Sequence, residues 1–392
     1  MFRINKIIFL HEHQFIDYYY HAFGIETLEG FGYDVEVWNF TPFLQNEMYL
    51  RDNVPCTRPW PGHILFKDKE SAVDAITKLT PSSFVITGVH LTLATLPLYR
   101  ALSKRGVPCA SLLAVALPLG TFPQKQKYQN KIKLLFRLLS WSRLRDKLFS
   151  MIPFRYLGIR PVDLIFAMGE KFLKSGYPAD GNSEVLWTHF FDYDTYLQEK
   201  DRPCEINHKT GVFLDEYLPY HSDNIACNLS HVPADKYYAQ LRNFFDDLES
   251  RFKAEIIIAA HPRSHYEDKP ALFGKRTVIR GKTSELVKQS GFVILHQSMS
   301  LNYAVLYRKP MIFTITDDAE KYLIEDPHPQ WLAHYFGKSL HNLDRVQSID
   351  LPEEMKINDQ AYRSYKNDFI KKEGSADLHF WQIVAKRIEQ YQ

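Results

Sequence analysis

Short apolar runs alternate with stretches of helical periodicity along most of the chain, and this alternation is typical of parallel βαβ units. The apolar runs predict strands at 6–10, 33–38, 84–87, 107–114, 162–167, 211–214, 255–259, 277–279, 292–295 and 311–314. The periodic stretches predict helices at 15–30, 71–78, 91–105, 234–252, 283–289 and 301–307. Each half of the chain therefore has the pattern of a Rossmann-like domain.

The length of the chain also favours two domains. At 392 residues it exceeds the size at which a single hydrophobic core keeps growing. A polar, charged stretch at 198–209 is interpreted as the linker. We predict an N-terminal Rossmann-like domain at 1–200, a second at 205–365, and a helical segment at 366–392 that packs back on the first. The predicted fold class is α/β, with two Rossmann-like domains facing a cleft.

Bulk composition narrows the classes of function. Hydrophobic residues make up 45% of the chain and charged residues 24%, which matches an ordinary globular protein. A formal net charge of +2 argues against a nucleic-acid-binding protein, because such proteins usually carry a large basic excess. The four cysteines show no C-x-x-C spacing, so neither a zinc site nor a disulfide scaffold is predicted. Apolar runs too short for a signal peptide or a membrane span favour a cytoplasmic location.

The segment 125–147 differs from the rest of the chain, since it contains eight Lys and Arg residues against a single acid, Asp146. Its apolar residues recur at the spacing i, i+3, i+4 and i+7, which predicts an amphipathic helix with a basic face. Such a helix either packs on its own domain with its charges solvated, or docks on an anionic membrane surface. Trp141 favours the membrane interpretation.

Polar side chains follow two predicted strands of the second half. In open parallel sheets ligands bind beyond the carboxyl ends of strands, so these residues are candidates for a ligand site. One strand leads into His261 and Arg263, and another into His296, Ser298 and Ser300. Imidazole, guanidinium and hydroxyl groups at a helix start are suited to binding a phosphate. Strand and helix capping alone would account for His261 and for one of the serines.

Other strand ends carry further candidates. Gly281-Lys282-Thr283 resembles the end of a phosphate-binding loop without its first glycine, so it is interpreted as a helix start whose Lys282 and Thr283 face a nucleotide. Asp215 and Glu216 follow the first strand of the second domain, where a general base would be placed, although a helix cap or a pair with Arg would explain them equally. In the first domain, strand ends place His11, Glu12 and His90 on the acceptor side.

Several well-known motifs are absent from the sequence. It contains no G-x-x-x-x-G-K-[ST] loop and no G-x-G-x-x-G after a strand, which disfavours an NTPase or a dinucleotide-dependent dehydrogenase. It also contains no G-x-S-x-G elbow, so a serine hydrolase of that type is unsupported. A metal site from His11 and His13 lacks a third ligand, and no metal or cofactor is predicted.

Four stretches of the second half, 212–219, 258–263, 295–300 and 309–313, resemble bacterial surface-polysaccharide glycosyltransferases of the two-Rossmann GT-B architecture. The resemblance is closest to proteins of O-antigen and capsule clusters and looser to sialyl-, polysialyl- and Kdo-transferases. In sialyl- and polysialyltransferases a His-Pro motif and a later serine motif hold the cytidine nucleotide. The resemblance therefore implies a donor phosphate against His261, Ser298 and Ser300, although those families often have two adjacent serines.

The resemblance implies a glycosyltransferase, and no metal is expected because protein hydrogen-bond donors can replace it at the phosphate. The basic segment 125–147 would hold the enzyme at the inner face of the bacterial cytoplasmic membrane. The enzyme would transfer a nonulosonic acid or Kdo from a CMP-activated donor to a glycan or lipid-linked glycan acceptor. One alternative is a transferase of the same fold that uses a UDP-sugar or CDP-polyol donor, and a second is a non-catalytic binding protein of envelope glycan assembly. Because related enzymes carry their catalytic carboxylate in the other domain, Glu12 competes with Asp215 for that role.

Overall fold

The computed structural model describes residues 3–45, 59–112, 148–173, 178–221, 232–269, 271–322, 328–345 and 349–391. They form two compact units. Unit 1 combines the described residues before 113, those from 148 to Phe191, and those from Lys371 onwards, whereas unit 2 takes Asp192–Ile370. The basic segment predicted at 125–147 lies outside the described residues. Among the residues described, no helix combines the length and the apolar character that a membrane crossing requires.

Thirteen strands and fourteen α-helices are described in this part of the chain. The strands are β1 (Lys6–His11), β2 (Asp34–Asn39), β3 (His63–Leu65), β4 (Ser83–Thr87), β5 (Cys109–Leu112), β6 (Leu164–Ala167), β7 (Glu184–Trp187), β8 (Asn207–Leu214), β9 (Glu255–Ala260), β10 (Val278–Arg280), β11 (Ser290–Leu295), β12 (Met311–Ile315) and β13 (Leu340–Asn342). The helices are α1 (Asp17–Ala22), α2 (Ile25–Gly30), α3 (Thr41–Leu44), α4 (Lys69–Thr77), α5 (Leu96–Arg105), α6 (Phe191–Glu199), α7 (Ala234–Phe252), α8 (Thr283–Gln289), α9 (Leu301–Leu306), α10 (Asp317–Tyr322), α11 (His328–Tyr335), α12 (Leu351–Glu354), α13 (Asp359–Tyr365) and α14 (Phe380–Ile388).

Unit 1 is built on a seven-stranded parallel sheet of order β3-β2-β1-β4-β5-β6-β7. Its strand β1 is buried on both faces. Alternate residues of a strand point to opposite sides of the sheet, so β1 contributes to two cores. Ile7 and Phe9 enter one apolar core, while Ile8 and Leu10 enter the other. A strand covered on both faces requires an almost continuous apolar sequence, which is why this run was recognisable.

Helix α14 completes the first of these cores although it comes from the far end of the chain. The Trp381 ring packs edge-on against Phe9 with ring centroids 5.2 Å apart, and its Nε1 donates a hydrogen bond of 2.7 Å to the Ala22 carbonyl. Gly24 ends the predicted 15–30 helix early, because it adopts a φ of +55° and the Trp381 ring fills the space of a Cβ atom. The segment therefore forms two short helices, α1 and α2.

Unit 2 is built on a six-stranded parallel sheet of order β10-β9-β8-β11-β12-β13. Helix α7 buries an apolar face against this sheet that includes Tyr237, Leu241 and Phe245. In both units the first strand lies between the second and the fourth, which is the Rossmann strand order. The predicted α/β fold class with two Rossmann-like domains is confirmed.

The division between the units differs from the predicted boundaries at 200 and 205. Helix α6 belongs to unit 2 from Asp192 onwards. The buried Asp192 carboxylate accepts a hydrogen bond of 3.0 Å from the Asn302 amide at the start of α9. A π-helical turn at Lys366–Ile370 ends unit 2, and the chain enters unit 1 at Lys371.

Candidate functional site

The strand order places a topological switch point in each sheet, between β1 and β4 in unit 1 and between β8 and β11 in unit 2. Ligands of open α/β sheets bind beyond the carboxyl ends of the strands at such points. In unit 2 the residues that follow β8 are Asp215 and Glu216, both of which are buried. Their neighbours at the strand ends are the turn at 261–264, called the His-Pro turn, and the turn at 296–300, called the serine turn.

Asp215 holds the His-Pro turn in place. Its Oδ2 accepts hydrogen bonds from the His261 backbone N–H at 3.1 Å and from the Tyr266 hydroxyl at 2.8 Å, and its Oδ1 accepts one from the Tyr217 N–H at 3.0 Å. Burial raises the pKa of Asp215, and these hydrogen bonds oppose the rise. Both oxygens of the carboxylate predicted as general base are thus buried and bonded within the protein.

Glu216 holds the serine turn in the corresponding way. Its Oε1 accepts a hydrogen bond of 2.6 Å from the Gln297 backbone N–H. Burial raises the pKa of Glu216 to about 8, so the side chain is largely uncharged at neutral pH. Two adjacent carboxyl groups on one strand end thus position two loops, one on each side of β8. The catalytic role predicted for them stays a prediction, and the contacts that the structure shows are those to the two loops.

The His-Pro turn presents an imidazole with a defined donor. The His261 Nδ1 accepts a hydrogen bond of 3.2 Å from the Arg263 backbone N–H, so the neutral ring carries its proton on Nε2. The Ser264 hydroxyl donates to the His261 carbonyl at 2.7 Å and closes the turn. The ring of His221 lies 5.1 Å from that of His261. Sequence reasoning missed His221, and its position shortly after β8 was the available signal.

The serine turn begins with a residue that is not part of the candidate ligand site. His296 is completely buried, its Nδ1 donates to the Thr314 carbonyl at 2.7 Å, and its Nε2 accepts from the Tyr237 hydroxyl at 2.9 Å. Burial lowers the pKa of His296 to about 4. The sequence predicted a contact of His296 with a nucleotide, and in the structure both of its ring nitrogens form hydrogen bonds inside the core. Ser298 and Ser300 are half-buried, and the Ser298 hydroxyl accepts from the Ser300 N–H at 3.3 Å.

Lys282 and Thr283 lie beyond β10, the edge strand next to β9. Lys282 occupies the position before helix α8, and its exposed ammonium group lies 3.8 Å from the Glu285 carboxylate in the first turn. The structure therefore places both residues away from the β8–β11 switch point. A cavity of about 310 Å³ opens beside the His-Pro turn on this side of the sheet, and its lining includes Ser264 and Arg280.

The switch point of unit 1 carries a carboxylate–imidazole pair. Glu12 follows β1 and is buried, and its Oε1 lies 2.6 Å from the Nδ1 of His90 beyond β4. Its Oε2 accepts a second hydrogen bond of 3.3 Å from the His90 backbone N–H. The hydrogen bond to Glu12 raises the pKa of His90, whose side chain is 63% exposed. An exposed imidazole held by a carboxylate is an arrangement that can accept and release a proton.

His11 is part of the core instead of the candidate acceptor side. Its ring packs against Tyr19 and Phe23 with centroid distances of 4.4 and 5.3 Å. Burial lowers the pKa of His11 to about 3, so the ring stays neutral, and its Nε2 has no hydrogen-bond partner among the described residues. The sequence predicted His11 on the acceptor side, and in the structure aromatic rings enclose its side chain. In the described ranges, no three His, Cys, Asp or Glu side chains group as a metal site.

No protein-family model matches the chain, and no curated protein matches it. Solved structures do resemble it. The H444N variant of the wall teichoic acid polymerase TagF matches with a TM-score of 0.52 and 12% identity, over 100% of this chain and 89% of that one. The chain has the GT-B fold. Weaker likenesses are MurG of Acinetobacter baumannii (TM-score 0.46, 10% identity, 98% and 99% covered) and the UDP-GlcNAc 2-epimerase of Methanocaldococcus jannaschii (0.47, 12%, 99% and 100%).

Proposed function

We propose that the protein is a transferase of the GT-B type that moves a sugar or polyol unit from a nucleotide-activated donor to a bacterial surface glycan. The observation that carries this proposal is the paired anchoring of two loops at the β8–β11 switch point. Asp215 fixes the His-Pro turn and Glu216 fixes the serine turn. A rigid pair of polar loops at this position is suited to holding the phosphates of a donor.

The electrostatics of unit 2 support phosphate binding. His261 offers the N–H of Nε2, the exposed Arg263 offers a cation, and Ser298 offers a hydroxyl. The high pKa of Glu216 leaves that group largely uncharged at pH 7, so it does not repel an anion. Hydrogen-bond donors on preorganised loops also stabilise the charge that develops on a departing phosphate.

The donor in this proposal carries two phosphates, as in a UDP-sugar or a CDP-polyol. Two separate anchored loops can each take one phosphate, whereas a CMP-linked acid offers only one. We therefore propose this donor class in place of the CMP-linked nonulosonic acid or Kdo expected from the sequence. The nucleotide is a substrate, and the proposal requires no metal or cofactor.

The acceptor hydroxyl loses its proton to His90 in this proposal. Glu12 holds the imidazole through Nδ1 and stabilises the imidazolium that forms, which leaves the ring correctly oriented for the next cycle. The acceptor oxygen then forms the new bond while the bond to the donor's leaving phosphate oxygen breaks, and the nucleotide departs with that electron pair. The acceptor is a glycan or a lipid-linked glycan at the cytoplasmic face of the membrane.

A nucleotide screen tests the donor assignment. Thermal unfolding is followed with CMP, CDP, UDP and GDP, and CDP or UDP should raise the melting temperature, since a ligand at 100 times its Kd stabilises by about 2.7 kcal/mol. CMP should have a clearly smaller effect. Stabilisation by CMP alone would restore the CMP-linked donor.

His261→Ala is the matched test of the site, with His265→Ala as its control, because His265 is an exposed histidine on the same loop. The first variant should weaken nucleotide binding by about tenfold, the value of one charge-assisted hydrogen bond. The second should bind as the parent does. If no nucleotide binds and both variants behave alike, the protein is a non-catalytic binding protein of envelope glycan assembly.

A further inference from the structure

Four large apolar side chains are exposed within a nine-residue stretch of unit 1. They are Leu148, Met151, Ile152 and Tyr156. They belong to the segment 148–157, which we call the apolar loop and which includes the 3-10 helix Phe154–Leu157. Met151 is 71% exposed and Tyr156 is 84% exposed. The other exposed large apolar residues in the described ranges are spread over the sequence. Single exposed apolar residues are ordinary, but a cluster marks an interaction site.

The apolar loop is fixed to the body of unit 1. Phe149 at its start and Ile159 just after its end are buried. Helix α5 supports it with a hydrogen bond of 2.7 Å from the Arg100 Nε to the Leu157 carbonyl, and the Ser103 hydroxyl accepts one of 2.8 Å from the Arg160 N–H. The exposure of the apolar side chains is thus a property of an anchored loop.

Positive charges flank the apolar loop. Arg100 and Lys104 lie one helical turn apart on α5 and are both exposed, and neither forms an ion pair within the part of the chain that the structure describes. Arg155 and Arg160 lie in or next to the loop and pair with Asp180 and Asp163. The two unpaired cations give this face a positive charge beside its apolar side chains.

We propose that the apolar loop docks unit 1 on an anionic lipid surface. Met151, Ile152 and Tyr156 enter the boundary between headgroups and acyl chains, and Arg100 and Lys104 contact the lipid headgroups. Apolar insertion together with basic residues is the combination that binds peripheral proteins to anionic bilayers. Tyrosine suits this boundary because its ring is apolar and its hydroxyl remains hydrated.

The same charges disfavour a second copy of the chain as the occupant. A two-fold interface would bring identical patches together, so the arginine and lysine of one copy would lie near those of the other. Like charges in an interface oppose association. The loop is also a short segment, whereas stable protein interfaces usually involve 20–30 residues on each side. An anionic bilayer avoids both problems, because its charge is opposite to that of this face and its binding requires little buried protein surface.

Vesicle flotation of the full chain tests the proposal. The parent should float with phosphatidylcholine vesicles containing 30% phosphatidylglycerol, but not with phosphatidylcholine alone, and high salt should reduce flotation. Met151→Ser with Tyr156→Ser should lower vesicle affinity by at least tenfold. Lys104→Glu should lower it several-fold. Tyr18→Ser with Leu93→Ser is the matched control, because both residues are exposed and apolar but lie elsewhere in unit 1, and it should float as the parent does.

Four results would overturn the proposal. The parent fails to float, or the Met151→Ser, Tyr156→Ser variant floats as well as the parent, or gel filtration shows a dimer that only this variant dissociates. A further variant, with Lys131, Lys133 and Arg137 changed to Glu, separates the contribution of this loop from that of the preceding basic sequence. If that variant stops floating while the apolar-loop variant still floats, the proposal is also wrong. Thermal unfolding is measured for each variant to verify that it is folded.

Discussion

Strands β1 and β8, which border the switch points of the two sheets, are each followed by acidic residues, but these carboxyl groups have different partners. In unit 1, Glu12 holds the exposed imidazole of His90. In unit 2, Asp215 and Glu216 hold the backbone N–H groups of two loops. A side-chain partner that titrates can exchange a proton during each turnover, whereas a backbone N–H stays protonated.

Equivalent positions of the same fold can therefore have separate roles. The unit 1 pair is suited to proton transfer, because its imidazole is accessible and the hydrogen bond to Glu12 raises the pKa of His90. The unit 2 carboxyl groups are suited to fixing geometry, because they are buried and bonded to the main chain. Substitutions at these carboxyl groups and at His90 test whether the two units have these separate roles.

The largest expected effect is that of His90→Ala on the transfer rate. Loss of a general base lowers the rate by roughly 10²- to 10⁴-fold. The control is His21→Ala, since His21 is also exposed and lies 3.5 Å from a carboxylate, that of Asp17. Steady-state rates with the donor selected by the nucleotide screen provide the measurement. Equal rates in both variants would remove His90 from the mechanism, while unchanged nucleotide binding would show that unit 2 is intact.

Asp215→Ala should lower the stability of the protein and its nucleotide binding more than it lowers the rate of the chemical step. The substitution leaves the His261 N–H and the Tyr266 hydroxyl without their acceptor inside the protein, which costs about 3 kcal/mol in the free energy of unfolding. Urea denaturation measures this loss. Asp215→Asn keeps one acceptor oxygen and should lose less. A stable Asp215→Ala variant that binds nucleotide normally but transfers nothing would instead restore Asp215 as the base.

The smallest effect is a change in the pH profile of Glu12→Gln. Glu12 raises the pKa of His90, so the rate of the parent should rise with pH through a value above the usual one for histidine. Glutamine keeps a hydrogen-bond acceptor but removes the charge. The rising limb of the pH–rate profile should therefore move to lower pH, and the rate on its plateau should fall. The measurement is kcat/KM against pH. An unmoved limb would mean that Glu12 does not act through His90.

The buried strands were predictable because β1, β9, β11 and β12 are covered on both faces and read as continuous apolar runs. The edge strands β3 and β13 were missed, since each has three residues and includes polar ones. The break between α1 and α2 was missed for another reason. It depends on Trp381, which lies more than 350 positions away from Gly24.

The site was predictable as a set of strand ends but not as a set of side chains that face a ligand. His11 and His296 follow apolar runs as His261 does, yet both turn into the core, where Tyr19 encloses one and Thr314 bonds the other. One-residue differences in where a strand ends decide the face on which a side chain lies. Sequence alone leaves that register open. The proximity of His221 and His261 likewise depends on the fold.

Helix α14 has a consequence for how the molecule is made. Its residues Phe380, Trp381, Val384 and Ile388 belong to the same core as β1 and β2, and the segment for the whole of unit 2 precedes them in the chain. On a ribosome, domains generally fold as they emerge. The core of unit 1 therefore stays incomplete, with apolar surface exposed, while unit 2 is synthesised. Chaperones that bind exposed apolar surface would meet this nascent chain at that stage, and unit 2 can finish folding first.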